Sequence, residues 1–433
     1  MLLDFSVSNF RVFGEEVCLD LTRKSLKTLQ PKKGATWIDS TWRTAAIYGP
    51  NASGKSTLLD AIFALASAVK GQRGSLYQPH TLSPHYQGLP TIFTIGFTLR
   101  NRRFQYEVEA YSWGIAREEL WEAGGRWKKL FIRTQSDEGG ELLIETGSSL
   151  KGPTAEVRRI TTSNDLFLGM ALKYEHSGLK DIASALLSIR FIRHNDQERD
   201  SRLRWLMAQV AETPESWHRI SDLIANVADL GISRVELEEK DLPAHFTEKL
   251  RERLSQNDTG LEGNIDIPEE FLRIIRRSLL FYHRGADGKE TPLGLDAQSQ
   301  GTLTWLATIA PAIDALREGY TLFIDELDAS LHPALTATMV ELFKDPEVNP
   351  LGAQLIFSTH DTSLLDNSPQ QLLEDSEVWL CEKSAQGTSE LFSLADFQDI
   401  RKGTNKQRRY LLGTFGAIPT VDKSAIIRLL GYQ

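Results

Sequence analysis

One stretch, Ala45-Ala-Ile-Tyr-Gly-Pro-Asn-Ala-Ser-Gly-Lys-Ser-Thr57, constrains the fold of this chain more than any other. An apolar segment leads into a glycine-bounded loop and then into residues suited to the first turn of a helix. Gly49 and Gly54 bracket Pro50, Asn51, Ala52 and Ser53, and Lys55, Ser56 and Thr57 follow, which is the G-x-x-x-x-G-K-[ST] pattern of a phosphate-binding loop. The glycines let successive backbone N–H groups turn inward around phosphates, and the helix N-terminus behind them adds partial positive charge. In such a loop Lys55 reaches the β- and γ-phosphates and the Ser56 hydroxyl ligates Mg²⁺. The expectation is an α/β fold of the phosphate-loop kind, binding a nucleotide with Mg²⁺ through Gly49 to Thr57.

With 433 residues the chain has room for two or three domains. Its formal net charge of −9 gives it no bulk attraction for nucleic acid, so such a contact would need a local basic patch. Basic clusters do occur, at Arg273-Ile-Ile-Arg-Arg277 and at Arg401-Lys402 with Lys406-Gln-Arg-Arg409. The only cysteines, Cys18 and Cys381, form no C-x-x-C pair, which leaves a zinc site unsupported. No apolar run approaches the ~20 residues that cross a bilayer, and Met1 to Ser6 lacks a signal-peptide pattern. A cytoplasmic location without membrane contact is expected.

Read in order, Leu2 to Ser8 and Val17 to Leu21 form an opening hairpin around Asn9-Phe10-Arg11, and Lys24 to Ser40 is loop. Arg43 to Tyr48 is the strand feeding the phosphate loop. Leu58, Ile62, Leu65 and Ala66 then fall on one helical face that packs on a sheet. From Thr91 the period becomes two, over Ile92–Phe97, Phe104–Val108, Ile115–Trp121 and Trp127–Ile132, with turns at Asn101-Arg102 and Gly124-Gly125. The aromatics Phe93, Phe97, Tyr106, Trp121 and Trp127 fit half-buried strand packing better than a base-stacking platform. Val157 to Leu279 is mostly helical in pattern, including Ile182–Ile189, Leu203–Val210 and Trp217–Leu230, with interruptions at Gly231-Ile232 and Asn264 to Ile267. It lacks the sustained heptads of a coiled-coil arm. The expected organisation is residues 1–90 and 286–433 as one ATPase core, 91–150 as an antiparallel β subdomain and 151–285 as a helical insertion.

The second half of the chain carries carboxylates where such a core needs them. After a turn at Asp287-Gly288, Ser299 is placed to cap a helix bearing Leu303, Leu306, Ala307, Ala310 and Ile313, which makes Ser299 to Gly301 a second anion-binding helix start. Tyr320 to Ile324 is a continuous apolar run fit for a buried parallel strand and ends in Asp325-Glu326. Asp325 there can hold Mg²⁺ through its water shell, and Glu326 can accept a proton from attacking water. A last apolar strand, Gln354 to Ser358, delivers Thr359-His360-Asp361, where His360 can contact a γ-phosphate. Asn405-Lys-Gln-Arg408 offers no aspartate for reading guanine, which argues against a GTPase.

In this order the motifs resemble the ATPase heads of the ABC type, in the SMC and RecF branch. Phe5 to Phe13 is similar to that branch's opening, which adds Arg11 to the nucleotide-contacting set. Gly49 to Ser56 matches its phosphate loop, and Ser299-Gln-Gly301 takes the place of its signature motif, without the usual glycine pair. Asp325-Glu326, Asp328 and His360 match its Walker B pair, D-loop and switch histidine. A closer resemblance is to the compact ATPases of bacterial phage defence, the overcoming-lysogenisation-defect and abortive-infection kinds, carried by Asp325-Glu-Leu-Asp-Ala-Ser-Leu-His332 and Tyr410-Leu-Leu-Gly-Thr-Phe-Gly-Ala-Ile-Pro419.

That resemblance implies an ATPase acting as a head-to-tail homodimer or higher homo-oligomer, with Glu326, His360 and Lys55 at the reaction centre. It also implies a separately encoded effector, a nuclease or toxin, and a nucleic acid or phage protein as trigger. The carboxylates after His360 (Asp366, Glu374, Asp375, Glu377, Glu382, Glu390, Asp396 and Asp399) form no Toprim-type metal set, so no nuclease is expected in the chain itself. The alternative reading is a DNA-repair clamp of RecF type. A transporter's nucleotide-binding subunit comes third, disfavoured by the large insertion between phosphate loop and signature.

Overall fold

The computed structural model describes residues 1–72, 74–193, 198–203, 231–239, 277–398, 400, 403–419 and 423–430. The expected helices over Leu203–Val210 and Trp217–Leu230, the interruption at Asn264–Ile267, the Arg273–Arg277 cluster and Arg401-Lys402 fall outside these, apart from Leu203 and Arg277. The chain divides into two units: Met1–Ile192 with Asp314–Asp328 and Thr336–Gln433, and Arg193–Ile313 with Ala329–Leu335.

The first unit holds two sheets. Strands β1 (Leu2–Ser8) and β2 (Val17–Asp20) form the expected opening hairpin. They continue directly into the period-two strands β4 (Thr91–Leu99), β5 (Arg102–Tyr111), β6 (Gly114–Ala123), β7 (Trp127–Thr134) and β8 (Leu143–Thr146). The result is one antiparallel sheet in the order β2-β1-β4-β5-β6-β7-β8. Phe93, Phe97 and Tyr106 are buried in it, while Trp121 and Trp127 are half-buried, so these aromatics serve strand packing.

The other sheet runs β16 (Ser389–Ser393), β15 (Val378–Lys383), β3 (Thr44–Tyr48), β14 (Gln354–Ser358), β13 (Thr321–Asp325) and β9 (Ile189–Arg193), and its β3 leads into the phosphate loop. Its centre is β3, paired in parallel with β14 on one side and β15 on the other. Strand β13 lies parallel beyond β14, and β16 pairs antiparallel with β15. Every residue of β3 and β14 is buried, as expected where a parallel sheet is covered on both faces. Helix α2 (Lys55–Val69) follows the loop and buries Leu58, Ile62, Leu65 and Ala66. These join Phe5 and Phe93 of one sheet and Phe323 and Ile356 of the other in a continuous apolar core, apart from the more peripheral Ala66.

Among the described residues between 151 and 285, strands stand beside helices where a helical insertion is expected. Helices α3 (Thr154–Ile160), α4 (Phe167–Lys173) and α5 (Lys180–Leu186) belong to the first unit, and Ile189 begins β9 (Ile189–Arg193) instead of ending a helix. The fully buried Glu118 of β6 ties α4 to the antiparallel sheet by accepting from the N–H groups of Phe167 and Leu168 at 2.6 and 2.8 Å. Trp37–Ser40, expected as loop, is a short helix α1 closed by a capping box between Thr36 and Asp39.

In the second unit, β10 (Ile232–Glu239), β11 (Arg277–Arg284) and β12 (Glu290–Leu293) form a three-stranded antiparallel sheet. Asp287-Gly288 makes the turn between β11 and β12, with Gly288 at φ +77°. Helix α6 (Gln300–Glu318), which belongs to this unit as far as Ile313, buries Leu306, Ala307 and Ala310 against Ile232, Val235, Leu279 and Phe281. The alternation over 232–239 is broken by a register shift between Ile232 and Arg234, which moves the buried positions from 232 to 235 and hides the period of two. In the third segment of the first unit follow α7 (Pro333–Lys344, from Thr336 on), α8 (Lys406–Leu411) and α9 (Lys423–Leu429).

Candidate functional site

The phosphate loop is shaped by how tightly it packs on β15. A Cβ on Gly49, which has φ +153°, would stand 2.2 Å from the Cys381 carbonyl oxygen, so only glycine fits there. Gly54, at φ +117°, is walled by Val12, Phe13 and the Cys381 sulfur. The Cys381 thiol donates to the Ser53 carbonyl at 3.1 Å, and burial pushes it up to about 11. Lys55 is buried and folds across its own loop, donating to the carbonyls of Gly49 (2.9 Å) and Pro50 (3.1 Å). Desolvation lowers its pKa, and the nearby Asp325, Glu326 and Asp328 oppose that shift. The Ser53 hydroxyl is buried within the loop with no hydrogen-bond partner among the described residues, an orphaned donor that a phosphate oxygen would satisfy.

The ends of β13 and β14 bring the expected carboxylates to this loop. Ser56 Oγ donates to Asp325 Oδ1 at 3.0 Å, and Ser358 Oγ donates to the same oxygen at 2.6 Å. Glu326 lies in the left-handed region at φ +58°, exposed, with its N–H donating to Ser358 Oγ at 2.7 Å. Asp328 Oδ1 accepts from Thr359 Oγ1 at 2.7 Å and from the His360 N–H at 3.1 Å, and the His360 ring is exposed. Lys55, Ser56, Asp325, Glu326, Asp328 and His360 therefore gather at and beyond the C-terminal ends of β3, β13 and β14. A serine hydroxyl and a carboxylate in mutual contact are hard oxygen donors of the type that suits Mg²⁺.

Arg11 lies on the loop after β1, at φ +51°. Its guanidinium pairs with Asp60 of α2 at 2.5 Å and donates to Gln78 Oε1 at 2.8 Å, while the neighbouring Val12 and Phe13 are the residues against Gly54. Asn9 fixes this loop, donating to the carbonyls of Tyr86 and Leu89 and accepting from the His80 N–H. In the second unit Ser299 caps α6 as expected, accepting from the Thr302 N–H at 3.1 Å. A Cβ on Gly301 would come within 2.8 Å of the Ser330 carbonyl of that unit. Sequence reasoning missed Ser358, Cys381 and Asp60, since a lone serine, cysteine or aspartate has no signature until strand register brings it to the loop.

A family model described as "AAA domain, putative AbiEii toxin, Type IV TA system" matches residues 45–366, three quarters of the chain. The chain belongs to this family. The matched span opens on the strand that feeds the phosphate loop and closes just after His360, so it takes in both halves of the site. No curated protein matches the chain. Solved structures similar to it include an SMC head bound to the C-winged helix domain of ScpA, at 15% identity, TM-score 0.40, covering 90% of this chain and 97% of that one. Another is the SMC head domain from Thermotoga maritima, at 14% identity, TM-score 0.39, covering 90% and 98%. Among the described residues no helix is long and apolar enough to cross a membrane.

Proposed function

We propose that this chain binds ATP with Mg²⁺ at Gly49 to Thr57 and hydrolyses it, and that the hydrolytic cycle gates a separate toxic effector in phage defence. The observation that carries the ATPase reading is the 3.0 Å contact between Ser56 Oγ and Asp325 Oδ1, with Glu326 next in the chain. Ser56 and Asp325 would hold Mg²⁺, which supplies charge neutralisation at the phosphates. Lys55 is the chain's own cation for the β- and γ-phosphates, exchanging two loop carbonyls for them. Glu326 takes the proton of the attacking water as the bond between γ-phosphorus and its bridging oxygen breaks, a role suited to a solvent-facing carboxylate. His360, whose N–H donates to Asp328 Oδ1, is the residue that would sense a γ-phosphate.

Ser299 and Gly301 start an independent helix, which supports a head-to-tail pair in which one copy's Ser299 faces the other's nucleotide. The effector part rests on the family's association with toxin and type IV toxin–antitoxin systems and on the resemblance to abortive-infection ATPases. Titration calorimetry with Lys55→Ala tests nucleotide binding, and unchanged ATP affinity would sink it. Toxicity in cells that requires a neighbouring gene tests the gate; toxicity from this chain alone would contradict it. The second reading, a RecF-type clamp, predicts ATPase stimulation by DNA ends or gaps.

A further inference from the structure

Strands β13 and β14 remain joined beyond their last paired residues, Ile324 and Phe357, and at Asp325 and Glu326 it is Ser358 that makes the join. Ser358 is fully buried. Its hydroxyl donates to Asp325 Oδ1 at 2.6 Å and accepts from the Glu326 N–H at 2.7 Å, and its carbonyl accepts from the Leu327 N–H at 3.0 Å. On its other side Ser358 is in register with Ile47 of β3, just before the phosphate loop. A single side chain therefore touches both halves of the Asp325-Glu326 pair from the strand that lies between them and the loop.

We propose that Ser358 is the positioning residue that sets Asp325 for the metal and Glu326 for water, an inference that rests on the ATPase reading above. A left-handed conformation at a non-glycine residue is strained and persists only where neighbours hold it. At Glu326 the bond from its N–H to Ser358 Oγ is such a hold, and it turns the carboxylate out to solvent. At Asp325, Ser56 and Ser358 donate to the same oxygen. When Ser56 turns to a metal ion, Ser358 is the hydroxyl that still orients the carboxylate. A residue that acts through a metal-binding carboxylate in this way typically commands about 10–100-fold in metal affinity or activity.

Two readouts separate this role from simple packing. Mn²⁺ binding in the presence of a non-hydrolysable ATP analogue, followed by electron paramagnetic resonance, should weaken about tenfold or more in Ser358→Ala. Affinity for the metal-free analogue should stay within a factor of two. Turnover at saturating ATP and metal should fall by about 10–100-fold with KM for ATP little changed. Should Ser358→Ala fail to fold, Ser358→Cys keeps the volume with a much weaker donor and acceptor and carries the same expectation. Wild-type Mn²⁺ affinity in a folded variant would overturn the proposal. If wild-type protein itself fails to turn over ATP, the hydrolysis reading falls, and the Mn²⁺ measurement still decides for or against Ser358.

Discussion

Tyr48 and Tyr410 meet edge to face, with ring centroids 5.6 Å apart and planes at 64°. Tyr48 ends the strand that feeds the phosphate loop, and its hydroxyl donates to the carbonyl of Asp361, the residue after His360, at 3.0 Å. Tyr410 lies on α8, and its hydroxyl donates to the Ala417 carbonyl at 2.8 Å across a turn that uses positive φ at Gly413 and Gly416. Tyr410 thus ties the start of the Tyr410–Pro419 segment to the strand that feeds the phosphate loop.

Tyr410→Phe removes a buried hydrogen bond and leaves the Ala417 carbonyl unpaired, so urea unfolding should show a loss of about 1–2 kcal/mol. The pH dependence has a definite sign. Burial raises Tyr410 to about 12 and pushes Tyr48 and Tyr106 upward as well. Each phenol is easier to ionise in the unfolded chain, near pH 10, so their contribution is full below about pH 10 and is lost as pH rises above it, Tyr410's share by about pH 12. The fall in stability above pH 10 should be shallower in Tyr410→Phe; an identical slope would show that this phenol is not shielded.

Gly49→Ala tests the closeness of β15 to the phosphate loop. The added carbon would lie 2.2 Å from the Cys381 carbonyl, and neither backbone can yield without parting the sheet. The variant should melt lower and lose ATP affinity. Wild-type melting with wild-type affinity would contradict the close approach.

The continuous apolar runs 320–324 and 354–358 are legible as parallel strands because both faces of such a strand are covered. Gly49 to Ser56 is legible because the loop's geometry demands those residue types. The parts that escape do so for identifiable reasons. Strand β12 is exposed throughout and has no apolar period to detect. The register shift after Ile232 hides β10, and the fully buried Glu118 gives no sign in sequence that it will cap a helix 49 residues away. Ser358 is the sharpest case. Its partners Asp325 and Glu326 lie 33 and 32 residues distant, and only the parallel pairing of β13 with β14 supplies the contact.

The proposed head-to-tail pairing makes a genetic prediction. If that pairing holds, chains carrying Lys55→Ala and chains carrying Ser299→Arg should each be inactive alone, because each would lack one half of a composite site. Mixed, they should recover about one working site per heterodimer, roughly half the activity of the wild-type pair. An inactive mixture in which light scattering confirms heterodimers would rule out the trans arrangement.

Single-turnover hydrolysis by Glu326→Gln tests the central claim most directly. Loss of a general base costs about 10²–10⁴ in rate, while the amide keeps the size and the backbone position of the carboxylate. ATP binding measured by calorimetry should match wild type and the hydrolysis rate should fall into that range. A rate within a few-fold of wild type, at equal ATP occupancy, would contradict the assignment and place the base elsewhere.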